Sequence, residues 1–157
     1  MRWILYVLSL PALFGANPEL VRVKSVYLLP MANGFDQYLA NHILNSSLYV
    51  VVADPQGADA VITDSLGPGF ERKMAELYPV KKDDEDEEED LKGNTVVPLG
   101  KFRGGKGMVF LVERKSKQVV WSTYEKPTDA RSTSLDQAAK RITVRLKKEL
   151  TGQAPSK

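Results

Sequence analysis

The residue types that most often carry catalysis are scarce in this chain. It has no cysteine, which excludes disulfide bonds, thiol catalysis and sites where cysteine binds zinc or an iron–sulfur cluster. It has one histidine, His42, so a metal site built on imidazole would need carboxylates for its other ligands. His42 falls among Phe35, Tyr38 and Leu39 at helical spacing. We therefore expect His42 at the core boundary with a backbone hydrogen-bond partner, and we predict that the protein is not an enzyme.

Two other segments have compositions associated with ligand binding. Gly100 to Lys106 has the glycine and lysine spacing of a phosphate-binding P-loop, but Gly107 follows where magnesium binding needs a Ser or Thr hydroxyl. An acidic tract precedes this segment and a strand pattern follows it, whereas a P-loop lies between a strand and a helix. The eight consecutive acids from Asp83 to Asp90 lack the glycine bends of a calcium loop. We predict no nucleotide, metal or other cofactor.

Charge is distributed unevenly along the chain. There are 22 basic and 20 acidic residues, but without Asp83 to Asp90 only 12 acids remain and the net charge is +10. Arg141, Arg145 and Lys148 share one outer strip at helical spacing, here called the basic strip. This strip could contact an anionic polymer, a membrane surface or a partner, with the acidic run competing for it. The alternative is that these charges only solvate an exposed helix face.

The N-terminus has the pattern of a secretory signal peptide. Met1-Arg2 is basic, the run from Trp3 to Ala16 is uncharged and mostly apolar, and small residues end it. The run is too short to span a bilayer comfortably. We predict a signal peptide at 1–16 and export to the periplasm or cell envelope, or secretion. Phe14 is larger than the residue usual two positions before a cleavage site, so an uncleaved membrane-proximal segment is the alternative.

Hydrophobic periodicity predicts the element order β-α-β-β-α-β-β-α. The predicted strands are 21–30, 48–53, 58–65, 107–113 and 118–124, and the predicted helices are 35–45, 70–77 and a last one ending at 150. Ser132 to Ser134 should cap that last helix, with Ser134 and Gln137 at capping-box spacing. The last two strands should form a hairpin, and Trp121 should lie in the core.

These elements predict an α/β (α+β) fold with a mixed sheet of about five strands packed by two to three helices. The first strand–helix–strand unit should be parallel with a right-handed crossover. We expect a single domain over 21–150 and a flexible tail at 151–157. A disordered acidic and glycine-rich insertion is expected at 80–106, because a block of like charge repels itself and cannot be buried.

Two stretches resemble a group of bacterial envelope modules. They are the strand ending at Asp54 with the following Gly57 to Ile62, and the hairpin from Val112 to Trp121. These are similar to the N-terminal domain of the TolB type and to the CsgG-like curli-secretion lipoproteins. The chain departs from them at Thr63-Asp64, where those families usually have a glycine, and it lacks the lipidated cysteine of the curli lipoproteins. The resemblance implies a fold and a compartment, and it assigns no functional residue.

Two hypotheses about function follow. The first is a non-enzymatic, exported envelope module that binds an envelope protein or assembles with copies of itself. The alternative is an electrostatic binder of an anionic polymer or membrane surface through Arg141, Arg145 and Lys148. Nucleic acid is not expected as a partner, because the strand patterns show no platform of aromatic and basic side chains for stacking bases.

Overall fold

The computed structural model describes residues 16–79 and 107–153. Within these ranges the chain forms one mixed sheet of five strands packed by four α-helices, which confirms the predicted fold class. Three predicted features lie outside the described residues: the leader up to residue 15, the insertion at 80–106 with its glycine–lysine segment, and residues 154–157 of the tail.

The predicted element order is confirmed, with one short helix added at its start. The helices are α1 (Pro18–Arg22), α2 (Phe35–Asn45), α3 (Pro68–Leu77) and α4 (Ser132–Leu150). The strands are β1 (Ser25–Leu28), β2 (Val50–Val51), β3 (Ala60–Thr63), β4 (Met108–Glu113) and β5 (Val119–Tyr124). Short 3₁₀ turns lie at Ala32–Gly34 and Pro55–Gly57.

The strands lie in the order β2-β1-β3-β4-β5. β1 is parallel to both of its neighbours, β2 and β3, which confirms the predicted parallel unit. β4 is antiparallel to β3 and to β5, so the last two strands form the predicted hairpin. The sheet therefore consists of three parallel strands, β2, β1 and β3, and an antiparallel hairpin, β4 and β5, that adds to β3.

The predicted first strand begins too early. Pro18–Arg22 is helical because the Asn17 side chain accepts a hydrogen bond from the Glu19 backbone N–H at 3.0 Å and Pro18 occupies the first turn. This short helix buries Leu20 completely and leaves Val21 exposed. The strand is therefore confined to Ser25–Leu28, and α1 raises the helix count above the predicted two to three.

Two helical layers cover the sheet. On one face, Leu39 and Ile43 of α2 join Ile142 and Leu146 of α4 in a core cluster that also includes Leu20 of α1. Each fully buried leucine or isoleucine of this kind contributes about 2 kcal/mol to folding. The other face is packed by a smaller cluster around α3: Phe70, Met74, Leu29, Val61, Phe110 and Val112. Every residue of β3 is buried between the two layers.

Asp59 ties the start of β3 to the start of β1. Its carboxylate accepts hydrogen bonds from the backbone N–H groups of Lys24 and Ser25 at 2.9 and 3.0 Å. The hydrogen bond from the Lys24 backbone, with those from Ser25 and the nearby charge of Arg114, holds the pKa of Asp59 below its ordinary value despite partial desolvation. The charged form of Asp59 is therefore the one that stabilises the fold.

The predicted serine cap of α4 is wrong. The N-cap residue is Arg131, which makes no side-chain capping bond, and the helix begins at Ser132. The Asp129 carboxylate instead accepts from the Arg131 backbone N–H at 3.0 Å and from its Nε at 2.7 Å. Hydrogen bonds from the side chains of Arg131 and Ser134 lower the pKa of Asp129 to about 2. Ser134 therefore contacts Asp129 rather than capping the helix.

Trp121 lies in the core as predicted, with 7% of its surface exposed. Its indole N–H is buried and has no hydrogen-bond acceptor among the described residues. A buried donor without an acceptor costs about 1–3 kcal/mol, so the ring stabilises the fold through its apolar area alone.

Replacing Trp121 separates these two effects. Trp121→Ala should lower the free energy of unfolding by about 3–5 kcal/mol, because it removes most of a buried aromatic side chain. Trp121→Phe should cost only about 1 kcal/mol, since the lost ring area is partly offset by removing the unsatisfied N–H. Urea unfolding of both variants measures the difference. A loss from Trp121→Phe well above about 1 kcal/mol would contradict the assignment of an unpaired indole.

Asp59 makes stability depend on acid pH. Because its pKa is lowered in the folded state, its contribution is present above the ordinary aspartate pKa of about 4 and is lost as pH falls through the folded value. Asp59→Asn should lower stability at neutral pH by about 1 kcal/mol and make the acid-side decline shallower. Urea unfolding across a pH series measures both, with Glu71→Gln, which changes an exposed carboxylate of α3, as the control. A decline as steep as in the parent protein would contradict this role.

Candidate functional site

The basic strip does not present three independent cations. Arg141 Nε lies 2.6 Å from Glu125 Oε1, and Arg145 Nη2 lies 2.7 Å from Glu125 Oε2. The Glu125 side chain is only 13% exposed, whereas each arginine side chain is 47% exposed. One carboxylate just after β5 therefore bridges two arginines one helical turn apart on α4. We call these three residues the Glu125 cluster.

Arg145 is also bonded to the end of β5. Its Nη1 donates to the Tyr124 carbonyl oxygen at 2.8 Å and to Thr123 Oγ1 at 3.2 Å. Lys148, three residues further along α4, is half-buried and makes no ion pair among the described residues. The structure therefore joins Arg141 and Arg145 at one site and leaves Lys148 outside it.

Glu125 is the residue that the sequence pattern did not identify. It lies 16 residues before Arg141, directly after the last strand. Its pairing depends on how α4 crosses that strand, which helical periodicity does not report. The Glu125 cluster has a net charge of +1, so it is a weaker attractant for polyanions than three separate cations.

His42 has a carboxylate partner, so the expected backbone partner is wrong. His42 Nε2 lies 2.8 Å from Asp136 Oδ1, with the two side chains 19% and 48% exposed. The contact forms because α2 and α4 pack side by side on one face of the sheet, bringing together residues 94 positions apart. The pair links two helices at the core boundary. In the part of the chain that the structure describes, no group of three or more potential metal ligands is found.

The α3 side of the sheet is covered only at its centre. Residues directly opposite each other in an antiparallel pair share a face, and Tyr124, Ser122 and Val119 of β5 lie opposite Met108, Phe110 and Val112. These three β4 residues pack in or against the α3 cluster, but none of the three β5 residues does. Tyr124 and Val119 are 57% and 45% exposed. We call Val119, Ser122 and Tyr124 the open β5 face.

Positive charge lies at one end of the open β5 face. The turn between β4 and β5 carries the exposed Lys115 and Lys117. The nearby Glu113 carboxylate accepts hydrogen bonds from Ser116, which lower the pKa of Glu113 although partial burial opposes them. At the other end of β5, the Glu125 cluster lies on the opposite side of the sheet, because Arg145 bonds to the Thr123 side chain, which points to the α4 face. The result is an apolar strip with a cationic turn at one end.

Side chains occupy two backbone positions on the free edge of β5. The Val120 carbonyl accepts from Asn17 Nδ2 at 3.3 Å, and the Tyr124 carbonyl accepts from Arg145. Unpaired strand edges invite another strand to add, and side chains that bond to the edge oppose this. The open β5 face, rather than its edge, is therefore the more accessible surface for a partner.

Comparisons with known proteins found no match: no family model, no curated protein and no solved structure resembles the chain significantly. None of the described helices is both long and apolar enough to span a bilayer.

Removing the charge of Glu125 should unmask the arginines if the basic strip binds polyanions. Glu125→Gln should then raise the salt concentration that elutes the protein from a heparin column, because Arg141 and Arg145 lose their internal counterion. The control is Glu149→Gln, which removes one exposed carboxylate elsewhere on α4 and should have a smaller effect. Equal elution of the two variants would exclude the basic strip as a polyanion site.

Proposed function

We propose that this domain is a non-catalytic, exported module of the cell envelope that binds a protein partner through the open β5 face. The observation that supports it is the pair of half-exposed apolar side chains, Val119 and Tyr124, on a sheet face packed by a single helix among the described residues. Export is inferred from the N-terminal pattern, and the envelope location also from the family resemblance.

The chemistry of this face favours protein recognition. Tyrosine is enriched among the residues that dominate binding energy, because it combines a large apolar ring with a hydrogen-bonding hydroxyl. Covering the Val119 side chain would add about 1 kcal/mol in proportion to the apolar area that it now exposes. Ser122 lies between them and is small enough for a partner to approach the backbone.

The charge beside the strip indicates the chemistry of the expected partner. Lys115 and Lys117, exposed in the turn at one end of β5, would attract acidic side chains. The expected partner is a protein with an apolar surface flanked by acidic residues at one end.

A photocrosslinking amino acid at position 122 tests this proposal. In envelope extracts, it should crosslink to one protein, and Tyr124→Ser combined with Val119→Ser should abolish the product. The matched control is Leu44→Ser combined with Val144→Ser, which removes two exposed apolar side chains from α2 and α4 and should leave the product intact. A product that survives the β5 substitutions, or no product at all, would contradict the proposal.

The partner's expected charge adds a second criterion. Lys115→Glu combined with Lys117→Glu should weaken capture at low salt, while high salt should reduce the difference between variant and parent. A partner retained equally by both proteins at low salt would contradict the predicted acidic flank.

Binding of an anionic polymer or lipid surface is the second candidate. It is favoured by the half exposure of Arg141 and Arg145 and by Lys148 on the same side of α4. The bond of both arginines to Glu125 weakens this candidate, since a ligand would have to compete with an internal carboxylate. The heparin comparison of Glu125→Gln and Glu149→Gln decides between the two.

A further inference from the structure

A cleft of about 550 Å³ lies at the end of the sheet where the parallel strands β1 and β3 finish. Its walls come from the segments after β1, β3 and β5, from the start of β4 and from the first turn of α4. The volume is within the range of about 300–1,000 Å³ that small-molecule sites occupy. Its lining residues include Phe35, Asp64, Ser65, Met108, Lys126 and Leu135.

The cleft is located where the chain topology opens the sheet. β1 and β3 are adjacent and parallel, but β1 leads to α2 on one face and β3 leads to α3 on the other. Connections that diverge in this way leave a crevice beyond the carboxyl ends of the two strands, and open α/β sheets bind their ligands there. Asn33 and Phe35 after β1, and Asp64 and Ser65 after β3, line the two sides of this crevice.

The walls of the cleft are held by internal contacts. The buried Asp36 carboxylate accepts a hydrogen bond from the Met31 backbone N–H at 3.0 Å, which fixes the segment after β1. At the start of β4, Gly107 has a φ of +105°, and a Cβ there would lie 2.8 Å from the Lys126 Cα. Glycine at position 107 therefore lets the segment after β5 approach closely. A cleft built in this way is largely formed before a ligand arrives.

The cleft combines an apolar wall with two opposite charges that have no internal partner; Asp129 also lines it, but its carboxylate is paired with Arg131. Phe35 and Leu135 are buried and Met108 is half-buried. Asp64, half-buried after β3, and Lys126, exposed after β5, have no hydrogen bond or ion pair from their side chains among the described residues. Strand β4 lies between these two positions in the sheet. Thr63 and Ser122 both lie opposite Phe110, so Lys126 is three residues further along the sheet than Asp64, and the two backbones are separated by about 14 Å.

We infer that this cleft binds a small zwitterion, an amino acid or short peptide with an apolar side chain. Its ammonium group would meet Asp64, its carboxylate would meet Lys126, and its side chain would pack against Phe35, Met108 and Leu135. Opposite charges on separate walls select a ligand that carries both, because a ligand with only one leaves a protein charge unmatched. This inference does not depend on the proposed partner, since none of these residues belongs to the open β5 face.

Titration of the full chain with the dipeptide leucyl-leucine tests the inference, followed by NMR of the backbone amides. Saturable shifts are expected at Asn33, at Asp64 and Ser65, and at Lys126. N-acetylation or C-terminal amidation of the dipeptide should each weaken binding about tenfold, as loss of one charge-assisted hydrogen bond predicts. Equal affinity for the free and blocked dipeptides, or no saturable shift at millimolar concentration, would overturn the inference.

Two substitutions assign each charge to its end of the ligand. Asp64→Asn should weaken binding of the free dipeptide about tenfold and leave binding of its N-acetylated form unchanged. Lys126→Gln should weaken binding of the free dipeptide about tenfold and leave binding of its C-amidated form unchanged. Glu76→Gln and Lys140→Gln, which remove exposed charges from α3 and α4, are the controls and should change neither. A loss that does not depend on the blocked group would show that the charges act only through the fold. Crosslinking at position 122 is measured separately, so a negative result for one proposal does not contradict the other.

Discussion

Burial of β3 on both faces is the constraint on which the rest of the structure depends. All four of its residues are buried, so apolar helices must lie on each side of the sheet. The chain meets this requirement by sending α2 and α4 to one face and α3 to the other. Two consequences follow from the same arrangement. The divergence after β1 and β3 opens the cleft at their carboxyl ends, and α3, the one described helix packed on its face, leaves β5 uncovered.

Charged residues lie near both the uncovered strand β5 and the cleft. Glu125, at the end of the strand that α3 leaves uncovered, binds Arg141 and Arg145 and so attaches α4 to the sheet. The same contact lowers the net charge that α4 shows to solvent. Asp129, four residues after Glu125, accepts hydrogen bonds from Arg131 and Ser134. Among the described charged residues that line the cleft, this leaves Asp64 and Lys126 without an internal partner. Charged residues with internal partners therefore stabilise the fold, whereas Asp64 and Lys126 remain available to a ligand.

Prediction from the sequence succeeded where the signal is local and repetitive. Strand alternation and helical periodicity predicted the hairpin, the parallel first unit and the core position of Trp121. It failed where two local signals competed. The pattern of residues 21–30 predicts a strand from its first residue. Asn17 and Pro18, however, begin a helical turn, so β1 begins only at Ser25. The serines at the start of α4 have the pattern of a cap, but they lie inside the helix, and the N-cap position is Arg131.

The sequence by itself determined the α/β class, the order of the elements and the scarcity of catalytic side chains, because these follow from periodicity and composition. Only the tertiary structure decided which charges meet. His42 contacts Asp136 across 94 residues, and Glu125 contacts two arginines of α4, because helices packed on a common face bring distant turns together. The cleft is likewise a product of topology, since its walls come from segments that adjoin only once the strands take the order β1-β3-β4-β5. No local pattern encodes such a neighbourhood, since it depends on how whole elements cross and pack.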